Sequence, residues 1–227
     1  MNNATGRVNN MKIATNSVNG TLLMPGEEFS YNKAIGKTTP ENGYQQAGAY
    51  VAGEVVQEYG GGVCNISTIL YRAAMRANLK SSLRYNHSMM VSYAEPSLDA
   101  TVYEGEIDYR FVNTYDFPIY IEGYMTSNTI VFNIYGNKES FGNNTYELVN
   151  EVIEKLDYTT EYVNDNTLAE GSRVTTVNGM AGYRSKAYLV TYSNGVEVSR
   201  EFISSDYYAP MNTVVKVGTK KATTTEN

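Results

Sequence analysis

The stretch that decides the fold is residues 60–79, GGGVCNISTILYRAAMRANL, in which a glycine turn opens the clearest helix signal of the chain. Apolar residues recur there three or four positions apart and form a single stripe: Ile66, Ile69, Leu70, Ala73, Ala74 and Ala77. The pattern predicts a helix from about Cys64 to Asn78. Because glycine permits a tight, close-packing turn, we expect the helix N-terminus to be held by residues 60–62.

Strand patterns lie on both sides of this helix. Residues 54–59 (EVVQEY) precede it, and residues 87–93 (HSMMVSY) follow it. Residues 107–113 alternate in polarity, which is typical of a strand with one buried face. The two predicted faces are Ile107, Tyr109 and Phe111 on one side and Asp108 and Arg110 on the other.

A predicted hairpin completes the first half of the chain. Residues 118–124 and 129–135 are two β-rich runs joined by a short turn. Gly, Pro and Asn interrupt short apolar pieces over residues 19–36, which indicates further turns between strands. We therefore predict an α+β fold in which a helix packs on an antiparallel sheet.

The second half reads as a smaller, extended all-β domain. Residues 137–145 (NKESFGNNT) have the polar, turn-rich composition of a linker. Residues 186–203 contain two β-rich runs around Asn194-Gly195, a strong hairpin signal, whereas residues 146–156 fit a helix or a strand. The predicted boundaries are 1–141 for the first domain, 142–220 for the second and 221–227 for a disordered tail.

Composition excludes several classes of function. The 227 residues carry a net charge of −6 and no run of Lys or Arg, which argues against nucleic-acid binding. One Cys and one His can form neither an internal disulfide nor a His/Cys zinc site. No P-loop, dinucleotide fingerprint or EF-hand is present. We therefore expect no cofactor, although a carboxylate-rich calcium site stays open. No apolar stretch is long enough for a membrane span.

Cys64 lies where the first turn of the predicted helix begins. A helix N-terminus carries about half a positive elementary charge and free N–H groups, and both lower the pKa of a thiol. The N–H groups near Val63 and Cys64 could also stabilise an oxyanion during acyl transfer. A glycine such as Gly62 would let a substrate backbone approach closely.

His87 is the only histidine and therefore the candidate general base. Ser88, Asp99 and Asp108 are candidates for the group that orients its ring. Asp99 is slightly favoured because it is a lone acid in an otherwise apolar stretch. In the competing interpretation Cys64 is an inert buried residue and His87 is structural.

Several blocks, quoted together, resemble the VanW-domain family. They cover about residues 5–136 and read PGEEFSYNKAIG, GGGVCNISTILYRAAMRANL, NHS around His87, DATV and DYRFVN. The pieces TLAEGS, VNGMAGYRSKAYLVTYSNGVEVSREFI and VVKVGTK resemble the five-glycine domain often fused to that family. The five glycines would be Gly171, Gly179, Gly182, Gly195 and Gly218.

The resemblance implies a peptidoglycan L,D-transpeptidase, because some family members are similar to enzymes of that kind with a catalytic Cys. The family's Cys and His correspond to Cys64 and His87. Asn65 stands where many members have Gln, and PSLDATV lacks the Gly that many have before DATV. The implied donor is a tetrapeptide stem, the implied acceptor is the side-chain amine of a diamino acid on a neighbouring stem, and the product is a three-to-three cross-link.

The resemblance also implies a location and leaves roles open. It places the protein at the extracellular face of a Gram-positive envelope, as part of a longer secreted or membrane-anchored chain, with the second domain binding wall glycan or acting as a spacer. Some polar residues have both a substrate-binding and a structural interpretation: Ser67, Thr68, Arg84, Tyr93 and Arg110. A peptidoglycan hydrolase with the same Cys and His, and a binding module without catalysis, are the alternative functions.

Overall fold

The structure, a computed structural model, describes residues 4–51, 54–127 and 129–221. The helices are α1 (Ala4–Val18), α2 (Tyr31–Ile35) and α3 (Val63–Arg76). The strands of the first half are β1 (Thr21–Leu23), β2 (Glu28–Ser30), β3 (Gln46–Val51), β4 (Glu54–Tyr59), β5 (Ser81–Leu83), β6 (Arg110–Val112), β7 (Ile119–Met125) and β8 (Ile130–Tyr135). Those of the second half are β9 (Asn144–Leu156), β10 (Thr160–Ala169), β11 (Arg173–Val177), β12 (Gly182–Ser193), β13 (Val196–Tyr208) and β14 (Thr213–Lys220).

Helix α3 is the centre of the first half, and its predicted stripe overlaps its buried face, which also includes Ser67, Thr68, Tyr71 and Met75. Ile66, Leu70 and Ala74 are fully buried, and each large aliphatic side chain removed from water contributes roughly 1.5–3 kcal/mol. The helix packs against α1 and against the sheet of order β1-β7-β8, whose pairings are antiparallel. The predicted α+β fold, the helix and the β7–β8 hairpin are confirmed.

The glycine turn is required by packing inside the chain. A Cβ on Gly60 would lie 2.7 Å from the Cβ of Thr38, and a Cβ on Gly61 would lie 2.6 Å from the backbone oxygen of Ala47. Gly62 caps α3 with a φ of 112°, a conformation that favours glycine. The turn therefore seats the start of α3 against the β3–β4 ribbon and places Cys64 at the second position of the helix.

Helix α1 was not predicted from the sequence, and its buried face mixes the apolar Met11, Ala14 and Val18 with two polar residues, Asn10 and Thr15. Asn10 is fully buried. Its side-chain amide donates to the backbone oxygens of Gln45 (2.8 Å) and Gly61 (3.0 Å), and its side-chain oxygen accepts from Gln45 N (2.8 Å). These hydrogen bonds join the helix to the glycine turn and to the residue that precedes β3.

The strand predicted at residues 87–93 is wrong. Tyr85 forms one isolated bridge to Thr101, and the chain then runs as an irregular segment through His87. The backbone N–H of His87 donates to the side chain of Asp99 (2.8 Å) instead of to a neighbouring strand.

The strand predicted at residues 107–113 is shorter than expected. Only Arg110–Val112 (β6) form a strand, and the side chains of Tyr109 and Phe111 are fully buried. Asp108 is buried rather than exposed. Its carboxylate accepts from the Ser30 hydroxyl (2.7 Å) and the Asn32 N–H (2.9 Å), and these bonds hold the start of α2.

The second half contains two three-stranded sheets. Strands β13, β12 and β9 form an antiparallel sheet, so the ambiguous residues 146–156 belong to a strand. Strand β14 pairs parallel with β10 and antiparallel with β11. The predicted hairpin turns at Asn194 and Gly195, both with positive φ. Of the predicted tail, residues 222–227 lie outside the described residues.

The two halves share one hydrophobic core. Leu148, Ala187 and Leu189 of the second half belong to the same buried cluster as α3. Polar contacts add to this junction: Arg84 pairs with Asp206 (2.7 Å), and Ala209 N donates to Ser88 O (2.8 Å). The end of β13 is thereby held next to the segment that carries His87. Among the described residues, no helix has the length and apolarity needed to cross a bilayer.

Candidate active site

A cleft of about 960 Å³ opens over the N-terminus of α3. Cys64 and His87 both line it, which places the two residues singled out from the sequence at one surface. The other predicted site residues that line it are Gly62, Val63, Ser88 and Tyr93. The cleft also contains residues from α1, the β3–β4 ribbon and residues 101–107, so it is assembled from segments far apart in sequence.

The thiol of Cys64 faces this cleft and is partly exposed. Its Sγ lies 3.3 Å from Val102 O and 3.8 Å from Thr101 Oγ1. The hydroxyl of Tyr31 donates to Val63 O (2.9 Å) and ties the first residue of α3 to α2. The thiol is therefore held between the helix N-terminus and the segment that follows Asp99.

The imidazole of His87 connects Cys64 to Asp99. Its Nδ1 donates to Asp99 Oδ2 at 2.5 Å, and its Nε2 lies 3.1 Å from the Tyr93 hydroxyl. The ring is also close enough to Cys64 for a side-chain hydrogen bond. The bond to Asp99 assigns the proton to Nδ1 and turns Nε2 towards the cleft.

Asp99 is 1% exposed, and several hydrogen-bond donors hold its carboxylate in place. Arg84 Nη2 donates to Oδ1 (3.0 Å), and the Tyr208 hydroxyl donates to the same oxygen. Arg84 Nε donates in addition to the backbone oxygen of Asp99 (2.7 Å). A buried carboxylate that is fully hydrogen-bonded stays ionised and fixed in direction.

The pKa values follow from these contacts. Burial raises the pKa of the Cys64 thiol, but the hydrogen bond and charge of His87, with smaller contributions from Val102 and Thr101, bring it below its ordinary value. Burial lowers the pKa of His87, whereas Asp99 and Cys64 raise it to about 9. Burial raises the pKa of Asp99, and His87 and Arg84 lower it below its usual range. Both shifts favour a thiolate beside an imidazolium in the cleft.

The structure brings together some predicted residues and separates others. Among the candidate orienting groups, Asp99 contacts His87, whereas Asp108 holds α2. Ser67 is fully buried and donates to Ala100 O (2.7 Å), so it anchors α3 instead of reaching the cleft. Thr68 does the same: its hydroxyl bonds Ala100 O (3.3 Å).

Val63 and Cys64 were both expected to offer a free backbone N–H at the helix N-terminus, and the structure distinguishes them. The N–H of Val63 already donates to Gly60 O (3.0 Å). The N–H of Cys64, as the second residue of α3, has no carbonyl four residues earlier inside the helix. Arg84 and Arg110 both form ion pairs with acids of this chain, as their structural interpretation predicted.

Two contributors to the site had no signal in the sequence. Arg7 of α1 lines the cleft, with its guanidinium 5.9 Å from the centre of the Tyr93 ring. Tyr208 reaches Asp99 from the end of β13, 109 positions along the chain. Tyr208 is one of 21 tyrosines, so nothing in its type or spacing distinguishes it.

Comparison with known proteins agrees with the division into two halves. The model of the family described as "VanW like protein" matches residues 6–135, and that of the G5 domain matches residues 147–220. An "Uncharacterized protein YoaR" of Bacillus subtilis is 34% identical over 131 residues, covering 58% of this chain and 43% of that protein. "Vancomycin B-type resistance protein VanW" of Enterococcus faecalis is 27% identical over 139 residues, covering 59% and 50%. The chain spans about half the length, or less, of these curated relatives.

Two solved structures each match about a third of the chain. One is titled "IgA1 Protease G5 domain structure", with 31% identity, a TM-score of 0.25 and coverage of 36% of this chain and 99% of that chain. The other is titled "Crystal structure of HP0197-G5", with 20% identity, a TM-score of 0.20 and coverage of 33% and 95%. The family model that spans the cleft covers more than half of the chain, and the chain accordingly belongs to the VanW-like protein family and continues into a G5 domain.

Proposed function

We propose that this protein is a cysteine-dependent L,D-transpeptidase that forms three-to-three cross-links in peptidoglycan. Membership in the VanW-like family and the presence of a G5 domain support the coarser conclusion, a cell-wall-associated protein that works at the outer face of the envelope. The observation that carries the finer proposal is the ring of His87, which bridges a cleft-facing thiol and a buried carboxylate.

The first step transfers an acyl group to the enzyme. The Cys64 thiolate attacks the carbonyl carbon between the third stem residue and the terminal D-Ala. The C–N bond breaks, a C–S bond forms, and the His87 imidazolium gives its Nε2 proton to the departing D-Ala amine. Asp99 holds the ring in the tautomer that this transfer requires. We assign the oxyanion to the N–H of Cys64, at the positive end of α3.

The second step transfers the acyl group to the acceptor. His87, now neutral, takes a proton from the side-chain amine of a diamino acid on a neighbouring stem. The amine attacks the thioester, the C–S bond breaks, and thiolate and imidazolium are restored. One amide bond is broken and one is formed, so the reaction needs no external energy source.

Charges along the cleft suit these two substrates. Arg7 is a candidate partner for a stem carboxylate, because its guanidinium can form a bidentate contact. The acids Glu58, Glu104 and Glu106 also line the cleft and would attract the cationic side chain of an acceptor. Tyr93, beside Nε2 of His87, lies where the proton is exchanged.

The test is incubation of the protein with disaccharide-tetrapeptide muropeptides, followed by mass spectrometry. We expect dimers formed with loss of D-Ala, and tandem fragmentation should place the new bond between two third residues. Cys64→Ala should abolish them while leaving the fold intact, since it removes one small group. Asp116→Asn, which changes an exposed acid, is the matched control.

Three results would contradict this assignment. Cross-linking by Cys64→Ala would exclude the thiol as the nucleophile. Monomers that lose D-Ala or split without forming dimers would identify a hydrolase that uses the same residues with water as acceptor. No reaction combined with slow alkylation of Cys64 would favour a binding module.

A further inference from the structure

The end of β13 contacts Asp99 from the second half of the chain. Tyr208 is fully buried, and its hydroxyl donates to Asp99 Oδ1. The same hydroxyl accepts the backbone N–H of Ser97 at 2.7 Å. One oxygen therefore bonds both to the carboxylate that orients His87 and to the turn that precedes it.

This turn is strained. Ser97 has a φ of 67°, and the other non-glycine residues with positive φ in the described part of the chain are both asparagines, Asn78 and Asn194, which tolerate this region better than Ser does. Such a conformation is unfavourable for a serine and persists only when neighbouring contacts hold it. Ser97 is fully buried and its own hydroxyl has no hydrogen-bond partner in the structure. The bond to Tyr208 is therefore a main restraint on the backbone two residues before Asp99.

A second contact from β13 is the ion pair of Asp206 with Arg84, the cation that also pairs with Asp99. The buried guanidinium of Arg84 lies between Asp99 and Asp206, at 3.0 and 2.7 Å. Ser204 accepts from the same guanidinium (3.3 Å) and its hydroxyl donates to Asp206 (3.0 Å). Because Asp206 shares the cation, Asp99 keeps more of its negative charge for His87.

We propose that Tyr208 and Asp206, at the end of β13, are positioning residues for the proposed catalytic pair, so that the second half of the chain is a working part of the active site. Tyr208 fixes the Asp99 carboxylate and the Ser97 turn, and Asp206 shares Arg84. This inference rests on the proposed roles of Cys64, His87 and Asp99. The groups that face the imidazole are Cys64 from α3, Asp99 and Tyr93, with Arg84 and then Asp206 behind Asp99.

The test uses the full chain and needs no substrate. His87 is the only histidine, so selective ¹⁵N labelling gives the titration of a single imidazole. Tyr208→Phe should free the Asp99 carboxylate to turn away from the ring, and the lost ion pair should lower the midpoint of that titration by about one unit and slow alkylation of Cys64 by iodoacetamide at pH 7 by about tenfold. Tyr188→Phe is the matched control, because that hydroxyl also donates to a carboxylate, Glu151, but at an exposed position. Tyr188→Phe should leave the acid dissociation constant of the His87 imidazole and the rate of Cys64 alkylation each within about twofold of the unsubstituted protein.

A rescue variant separates positioning from a loss of structure. Ser97→Gly added to Tyr208→Phe removes the strain at φ 67°, since glycine adopts this conformation freely. It should recover at least half of the lost titration shift. If circular dichroism shows that Tyr208→Phe is unfolded, the same measurements are made on Asp206→Asn instead. It should also lower the midpoint, because Arg84 then acts on Asp99 alone.

The outcomes distinguish this inference from the proposed function. A Tyr208→Phe profile that superimposes on that of the unsubstituted protein would overturn the positioning role, whether or not cross-links form. An unchanged midpoint in Asp206→Asn would overturn the role of that residue. A shifted imidazole in a protein that makes no cross-links would support the positioning role and reject the transpeptidase.

Discussion

Replacement of Asp99 by Asn is the substitution on which the proposed mechanism depends most. Asp99 accepts from the backbone and ring of His87 and from Arg84 and Tyr208, all at a buried site. Asn has nearly the same shape but no charge. Its amide group can also present N–H instead of oxygen to the ring, which would favour the wrong tautomer of His87.

The magnitude follows from the pKa of His87. Asp99 and Cys64 together raise this pKa from 6.5 to about 9, and a shift of that size corresponds to roughly 3 kcal/mol. Loss of the Asp99 contribution should lower this pKa and leave a larger fraction of the imidazole neutral at pH 7.5. We expect turnover to fall about 10²–10³-fold, and the free energy of unfolding to fall by about 3–5 kcal/mol because Arg84 loses one of its buried partners.

Three measurements check this prediction: cross-link formation by mass spectrometry, the titration of the His87 imidazole by NMR, and urea unfolding. Asp116→Asn controls for the chemical change at an exposed position. The reasoning is refuted if Asp99→Asn keeps the turnover and imidazole titration of the unsubstituted protein while Cys64→Ala is inactive. Asp99 would then serve stability alone.

Three further predictions follow from the same contacts. Turnover should be bell-shaped in pH: it rises as Cys64 ionises, below the ordinary range of a thiol, and falls near pH 9 as His87 loses the proton that D-Ala requires, which a stopped muropeptide assay would measure. A fall beginning well below pH 8 would contradict the raised pKa of His87. Gly61→Ala should lower the free energy of unfolding by about 1–3 kcal/mol, since the new Cβ would lie 2.6 Å from Ala47 O; an unchanged urea midpoint would show that the turn can relax. Asn10→Ala should cost about 2–4 kcal/mol in the same measurement, because it removes three hydrogen bonds of a fully buried side chain, including the buried one to Gly61 O, and a loss under 1 kcal/mol would mean that water replaces the amide.

Local patterns predicted the elements that are recognisable from periodicity or turn chemistry. Three elements have their signal within a short stretch of sequence, because helix and strand periods depend on short spacing: the stripe of α3, the β7–β8 hairpin and the Asn194-Gly195 turn. Irregular and polar elements were missed. Helix α1 is stabilised by the buried amide of Asn10, and the segment around His87 is held by a side chain 12 positions away.

The sequence by itself determined the candidate residues for the proposed chemistry. With one thiol and one imidazole in the chain, the candidates Cys64 and His87 needed no coordinates, and a glycine turn before an amphipathic stripe placed the thiol at a helix N-terminus. Only the tertiary structure decided how these atoms are held. The carboxylate of Asp99 contacts the imidazole of His87, whereas that of Asp108 bonds Asn32. Tyr208 and Asp206, which contact Asp99 and Arg84, belong to the second half of the chain. The physical reason is that hydrogen bonds between buried side chains depend on distance in space, which residue spacing along the chain does not encode.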